Sequence, residues 1–133
     1  MGLLNLVPID EVVTVWPLLQ PFYERLDGAF ESHFRLLNDA IGRKLDLGYI
    51  TDDHDEIVGA FTVQLKVYPT HRRTLKVDNA AGTFSDDWRD VLEQLETYAI
   101  SRGCTHLEMV GRPGWEKMWQ DYKRKSVTLI KEL

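Results

Sequence analysis

The stretch TLKVDNAAGTFSDDWRDVLEQLETYAISRGC, residues 74–104, carries three successive signals. Thr74 to Val77 is a short extended run. Asn79, Ala80, Ala81, Gly82, Thr83 and Phe84 read as a loop of small and turn-forming residues. Ser85 then caps a helix whose first turn carries Asp86 and Asp87, carboxylates that complement the positive end of the helix dipole. Trp88, Leu92, Leu95 and Ala99, with Val91 and Tyr98 beside them, form its apolar stripe, and Arg102 and Gly103 close it.

Working outward from this strand, loop and helix, Leu45 to Ile50 and Ile57 to Tyr68 predict two strands joined by the polar turn Thr51 to Glu56. A second turn at Thr70 to Arg73 leads into Thr74, so three sequential strands predict an antiparallel meander. Leu3 to Val7 predicts a first strand, ended by Pro8. Val12, Val13, Trp16, Leu19, Phe22, Tyr23 and Leu26 recur at helical spacing after Asp10, with a break expected near Trp16 because Pro17 and Pro21 lack amide donors. Phe30, Phe34, Leu37 and Ile41 predict the packed face of a second helix ending at Gly42. Downstream, Thr105 to Val110 is a strand, Gly111-Arg112-Pro113-Gly114 a loop, Trp115 to Tyr122 a short helix and Ser126 to Ile130 a last strand. The order predicts an α/β (α+β) class with a mixed, largely antiparallel central sheet flanked by about four helices. A single domain spanning residues 1–133 suits the length.

Hydrophobic residues at 44% and charged residues at 28% are ordinary for a folded globular chain, which excludes disordered and fibrous classes. A net charge of −5 opposes binding to nucleic acid or anionic membrane through the summed field. The first 56 residues hold eleven acids and four bases, against ten acids and twelve bases in the rest, so a local anion site fits the second half. The one cysteine, Cys104, follows Gly103 and reads as a small packing residue; it excludes an internal disulfide and suits a reducing, cytoplasmic setting. No segment approaches the run of about 18 apolar residues that a membrane span needs. Of the four histidines, no two have metal-ligand spacing, so no metal is expected.

Two strings add a resemblance. Tyr98-Ala99, Arg102-Gly103-Cys104 and Leu107-Glu108-Met109-Val110-Gly111-Arg112-Pro113-Gly114-Trp115-Glu116, together with Val15-Trp16-Pro17-Leu18-Leu19, resemble small GNAT-like proteins of tailed phages and prophages. The resemblance implies the N-acetyltransferase fold, acetyl-CoA as cofactor, and an acyl-CoA-dependent transfer to an amine acceptor. It implies a cofactor site at Val77, Asn79, Gly82, Thr83, Phe84 and Ser85, where backbone amides at a helix start grip phosphate oxygens. In this chain the loop departs from the usual pattern, since Asn79 is short and uncharged, Phe84 is bulky, and Asp86 and Asp87 oppose an anionic ligand. Lys117 stands where many members have an acidic tyrosine. A catalytically inactive GNAT-fold phage protein, serving as virion component or as a binding module against a host factor, therefore stays open beside the enzyme.

For chemistry, amine acylation needs a base and groups that stabilise negative charge. Asp78 and Glu108 are the acids on the two strands expected to part around the cofactor, where strand alternation sets both opposite their apolar neighbours, toward a cleft or toward water. Arg112, presented by a Gly-rich turn, suits phosphate or carboxylate and equally a surface turn. The expected partners are a small-molecule or protein amine, a host or virion protein, and a second copy of the chain in a homodimer.

Overall fold

Asp52 closes the turn on which the sheet starts: its Oδ1 accepts the N–H of His54 at 2.8 Å and that of Glu56 at 3.0 Å. The strands on either side, β2 (Asp46–Thr51) and β3 (Ile57–Val67), pair antiparallel. The computed structural model describes residues 2–27, 32–82, 87–110, 122, 123, 125, 129 and 131, with Asp87 and Trp88 by backbone alone. The expected helix from Trp115 and last strand from Ser126 lie outside the described residues, as do Phe30, Thr83, Phe84, Ser85 and Arg112. Strand β1 (Leu3–Leu6) pairs antiparallel with β2, β4 (Arg73–Gly82) antiparallel with β3, and β5 (His106–Met109) parallel with β4, giving the order β1-β2-β3-β4-β5. A 3₁₀ turn at Ile9–Glu11 leads into α1 (Val12–Glu24), followed by α2 (Phe34–Ile41); α3 (Asp87–Ser101) connects β4 to β5.

Alternation divides the sheet between two cores. Ile50, Phe61, Val63, Leu75 and Val77 pack with Val91, Leu92, Leu95 and Ala99 of α3. Leu47 and Ala60 pack with Val12, Trp16, Leu19 and Tyr23 of α1 and Leu36 and Ala40 of α2. At the end of α3, Gly103 takes φ +74°, its N–H bonds Ile100 O at 3.0 Å, and Cys104 N–H bonds Ala99 O at 2.9 Å. That pair of bonds satisfies carbonyls the helix leaves open and drops Cys104 into the core, 8% exposed, as its packing role requires.

Three expectations are corrected. α1 runs through Pro17 and Pro21 without a break at Trp16; both prolines lie on the exposed side, so the carbonyls they leave unbonded meet water, while the buried stripe is Val12, Trp16, Leu19 and Tyr23. Helix α2 buries Leu36 and Ala40 and leaves Phe34 55% and Ile41 51% exposed, because His33, at its start, turns inward and rotates the packed face. Finally, Asn79 to Gly82 is not loop but the continuation of β4, held by pairing of Ala81 with Ala60 and Gly82 with Gly59. Gly82, at φ +139°, lies so close to β3 that a Cβ would stand 2.4 Å from Val58 O, and a side chain there would disturb the fold itself.

Candidate active site at the bulge of β4

Register shifts between β3 and β4. Thr62 faces Asp78 and Ala60 faces Ala81, so Asn79 and Ala80 together oppose Phe61. Asn79 takes φ 52°, a left-handed conformation that asparagine tolerates because its short amide bonds locally. Here its Nδ2 donates to Thr62 Oγ1 at 2.9 Å, and its N–H donates to Asp78 Oδ1 at 2.7 Å. Thr62 Oγ1 in turn donates to Asp78 O at 3.2 Å. On the other strand, Tyr23 Oη donates to Phe61 O at 2.6 Å. A bulge secured from both sides bends its strand.

The bend coincides with a parting of strands. Val77 is the last residue of β4 paired with β5, opposite Met109, and Val110 N–H closes the ladder on Val77 O at 3.0 Å. From Asp78 to Gly82, β4 continues with no strand on its β5 side among the described residues. An open V of this kind exposes backbone donors and acceptors to an extended ligand.

Below the V, Lys76, Asp78 and Glu108 share the face opposite Leu75 and Val77. Lys76 faces Glu108 in register, and its Nζ lies 4.0 Å from Asp78 Oδ2. Glu108 Oε1 accepts Lys125 Nζ at 2.7 Å and Tyr68 Oη at 2.8 Å, while Lys125 Nζ also donates to Tyr68 Oη at 3.0 Å. Partial burial alone would push Glu108 up, but the bonds from Lys125 and Tyr68 and the charges of Lys125 and Lys76 hold its carboxyl below the usual range. The bond to Glu108 pushes Lys125 up, with Tyr68 adding to it.

On the same side of the sheet, a cavity of about 50 Å³ joins the bulge to the helices, lined by Tyr23, Asp27, Ser32, His33, Arg35 and Asn79 with Leu26 and Leu36. His33 is 5% exposed and stacks on Trp16, ring centroids 6.3 Å apart. Its Nδ1 meets Asp27 Oδ2 at 2.7 Å, its N–H donates to Asp27 Oδ1 at 2.6 Å, and its Nε2 meets Gln20 Nε2 at 3.3 Å. Burial pushes Asp27 up; the ring and backbone bonds from His33 and the ring's charge outweigh it and keep the carboxyl low.

No protein-family model matches the chain, and no curated protein matches it. Solved structures do. An acetyltransferase of Trypanosoma brucei aligns over 100% of both chains at 12% identity and TM-score 0.66. A ribosomal-protein-alanine N-acetyltransferase of Brucella melitensis aligns over 99% of this chain and 100% of that one, at 16% identity and TM-score 0.66. A predicted acetyltransferase of Clostridium acetobutylicum, solved with acetyl-CoA, aligns over 100% and 96% at 13% identity and TM-score 0.63. The chain has the GNAT acetyltransferase fold. At these identities the likeness concerns fold alone.

Within the GNAT fold, the expected site residues divide. Asp78 and Glu108 share one face with Lys76 between them. Asn79 and Gly82 bracket the bulged end of β4, and Val77, 1% exposed, turns its side chain into the core. Thr83, Phe84, Ser85 and Arg112 fall outside the described residues. Among the described residues no His, Cys, Asp and Glu cluster is arranged to hold a metal ion, and no helix is long and apolar enough to cross a membrane. Sequence reasoning missed the Asp27–His33 pair. Its signal was an Asp before Gly28 and an inward histidine at the next helix start, a separation of six residues that fits no regular period.

Proposed function

We propose that the chain is an acyl-CoA-dependent N-acyltransferase, with the open edge of β4 from Asp78 to Gly82 as its coenzyme site. The observation that carries this is the parting of β4 from β5 at Val77, beside a bulge whose conformation is fixed by Asn79, Thr62 and Tyr23. The fit is one of chemistry: a strand edge that no described residue pairs suits the amide groups of an extended pantetheine chain. When bound, the coenzyme supplies an acyl thioester. The chain's own residues do the rest: β4 orients, α3 and the sheet exclude water from one side, and the polar cavity at Asn79 borders the place where an acceptor amine would enter.

A second reading has one observation in its favour. Both carboxylates expected as bases are engaged, Glu108 by Lys125 and Tyr68 and Asp78 by the Asn79 amide. A GNAT-fold protein without catalysis, binding a host or virion protein as the phage resemblance implies, would not need them free.

Titration with acetyl-CoA, followed by amide NMR, separates the two. The enzyme reading expects saturable binding with the largest shifts at the amides of Asp78 to Gly82 and Val110. At a hundred times its Kd, acetyl-CoA should also stabilise the fold by about 2.7 kcal/mol. Flat titrations at millimolar acetyl-CoA, or shifts confined elsewhere, would overturn it.

A further inference from the structure

Lys76 stands where the strands part. It precedes Val77, the last residue of β4 to pair with β5, and lies opposite Glu108 on the face turned away from α3. We propose that Lys76 is itself an acyl acceptor, its Nζ acylated within the same chain by the thioester bound along β4. The inference rests on the acyltransferase reading.

Position is the first argument. In that reading the coenzyme phosphates lie toward the start of α3, where helix amides hold anions. The extended chain then runs along β4 from Gly82 toward Asp78 and brings its acyl end to the point where β5 closes the edge. Lys76 and Asp78 share a face, about 7 Å apart along the strand, a span within reach of the four-carbon stem of lysine. The side chain already leans that way, with Nζ 4.0 Å from Asp78 Oδ2.

The second argument is freedom to react. At 4.0 Å the ion pair with Asp78 is longer than a hydrogen bond, and among the described residues Lys76 Nζ has no hydrogen-bonded partner. Its side chain is 23% exposed, so the ammonium can lose its proton to water. Lys125, the other amine beside Glu108, is differently placed. Its Nζ is held by Glu108 at 2.7 Å and by Tyr68 at 3.0 Å, and lies 4.8 Å from the centre of the Tyr68 ring. Those bonds keep Lys125 charged and make it the poorer nucleophile. Lys66, half-buried on β3, pairs with Thr74 and stands farther from the parting.

The step balances as follows. The Lys76 ammonium gives a proton to water. The neutral nitrogen bonds to the acyl carbon, the C–S bond breaks, and the thiolate leaves with the electron pair. It takes up the second proton of the nitrogen, leaving an amide on Lys76 and a free thiol. The cation between Asp78 and Glu108 is thereby removed.

The test incubates the full chain with isotope-labelled acetyl-CoA and maps the label by peptide mass spectrometry. Lys76 should be acetylated roughly tenfold or more faster than Lys66 and the exposed Lys44 and Lys123, because the reacting groups are held together. That preference should vanish in urea. A coenzyme A analogue lacking the thiol should suppress labelling of Lys76 and leave Lys44 and Lys123 unaffected. The rate per chain should not change with protein concentration. Acetyl-CoA binding without preference for Lys76, a preference for Lys125, labelling of Lys76 that the analogue leaves intact, or a rate per chain that climbs with protein concentration would each overturn the inference and leave the acyltransferase reading standing. A chain that binds no acetyl-CoA overturns both.

Discussion

The hydroxyl of Tyr23 donates to the carbonyl of Phe61 at 2.6 Å, binding α1 to the strand opposite the bulge. A bulge leaves backbone groups without ladder partners, and a buried carbonyl left unsatisfied costs about 1–3 kcal/mol. One phenol, fully buried, removes that cost at the point where β4 must bend.

Tyr23→Phe should therefore destabilise the fold by about 1–3 kcal/mol in urea unfolding. Because burial raises the folded phenol above its unfolded value, near 10, its stabilisation is fully present below that value and lost as pH rises beyond it. A variant as stable as the parent at pH 7 would show that the Phe61 carbonyl finds another partner.

The acid side is governed by Glu108. Its folded carboxyl is depressed, so its stabilisation is present above the unfolded value, near 4.3, and is lost as pH falls through the folded one. Parent stability should thus drop more steeply than that of Glu108→Gln between about pH 5 and 3. Parallel curves would mean that the triad with Lys125 and Tyr68 adds nothing to the fold.

Much of the architecture is legible in the sequence. The turn at Asp52, the strands flanking it and the stripe Val91, Leu92, Leu95 and Ala99 followed from alternation, turn chemistry and helical period. The end of β4 did not, because Asn79, Ala80, Ala81 and Gly82 have poor strand propensity and are extended only through pairing with Gly59 and Ala60. For α2, the visible apolar period lost to an inward histidine whose partners, Gln20 on α1 and Asp27 beyond its end, lie outside α2. Of the site, alternation set Asp78 and Glu108 each opposite its apolar neighbours, while their shared face follows only from the register of β4 with β5. That both are already hydrogen-bonded was not, since Tyr68 and Lys125 reach Glu108 from distant parts of the chain.

At the far edge of the sheet, Gln94 of α3 acts as a substitute strand. Its Oε1 accepts Leu4 N–H at 2.8 Å and its Nε2 donates to Gly2 O at 2.7 Å, covering the outer edge of β1. Gln94→Ala should speed amide exchange at Leu4 at least tenfold, about 1.4 kcal/mol of lost protection, and promote association through the bared edge. Unchanged exchange at Leu4 would show that the edge needs no cover.

Two glycines on either side of β3 predict opposite responses to the same substitution. At Gly48 a Cβ would lie 2.5 Å from the Phe61 ring, a side chain that is fully buried and pressed between the sheet and α3. Gly48→Ala should cost about 1–3 kcal/mol by overpacking. Since the clash is with a side chain, Phe61→Leu should relieve part of it, so the double variant should be more stable than the sum of the single losses allows. At Gly82 the clash is with backbone, Val58 O at 2.4 Å and Gly59 Cα at 2.6 Å, and φ is +139°. Strain there adds about 1–3 kcal/mol to overpacking of similar size, and no side-chain truncation can offset it. Gly82→Ala should accordingly be the more damaging of the two and additive with Phe61→Leu. Urea unfolding of the four single and double variants, with Phe61→Leu alone, decides the matter: additivity at Gly48 would show that the close approach of β2 to β3 is misassigned, and rescue at Gly82 that the approach of β4 to β3 is.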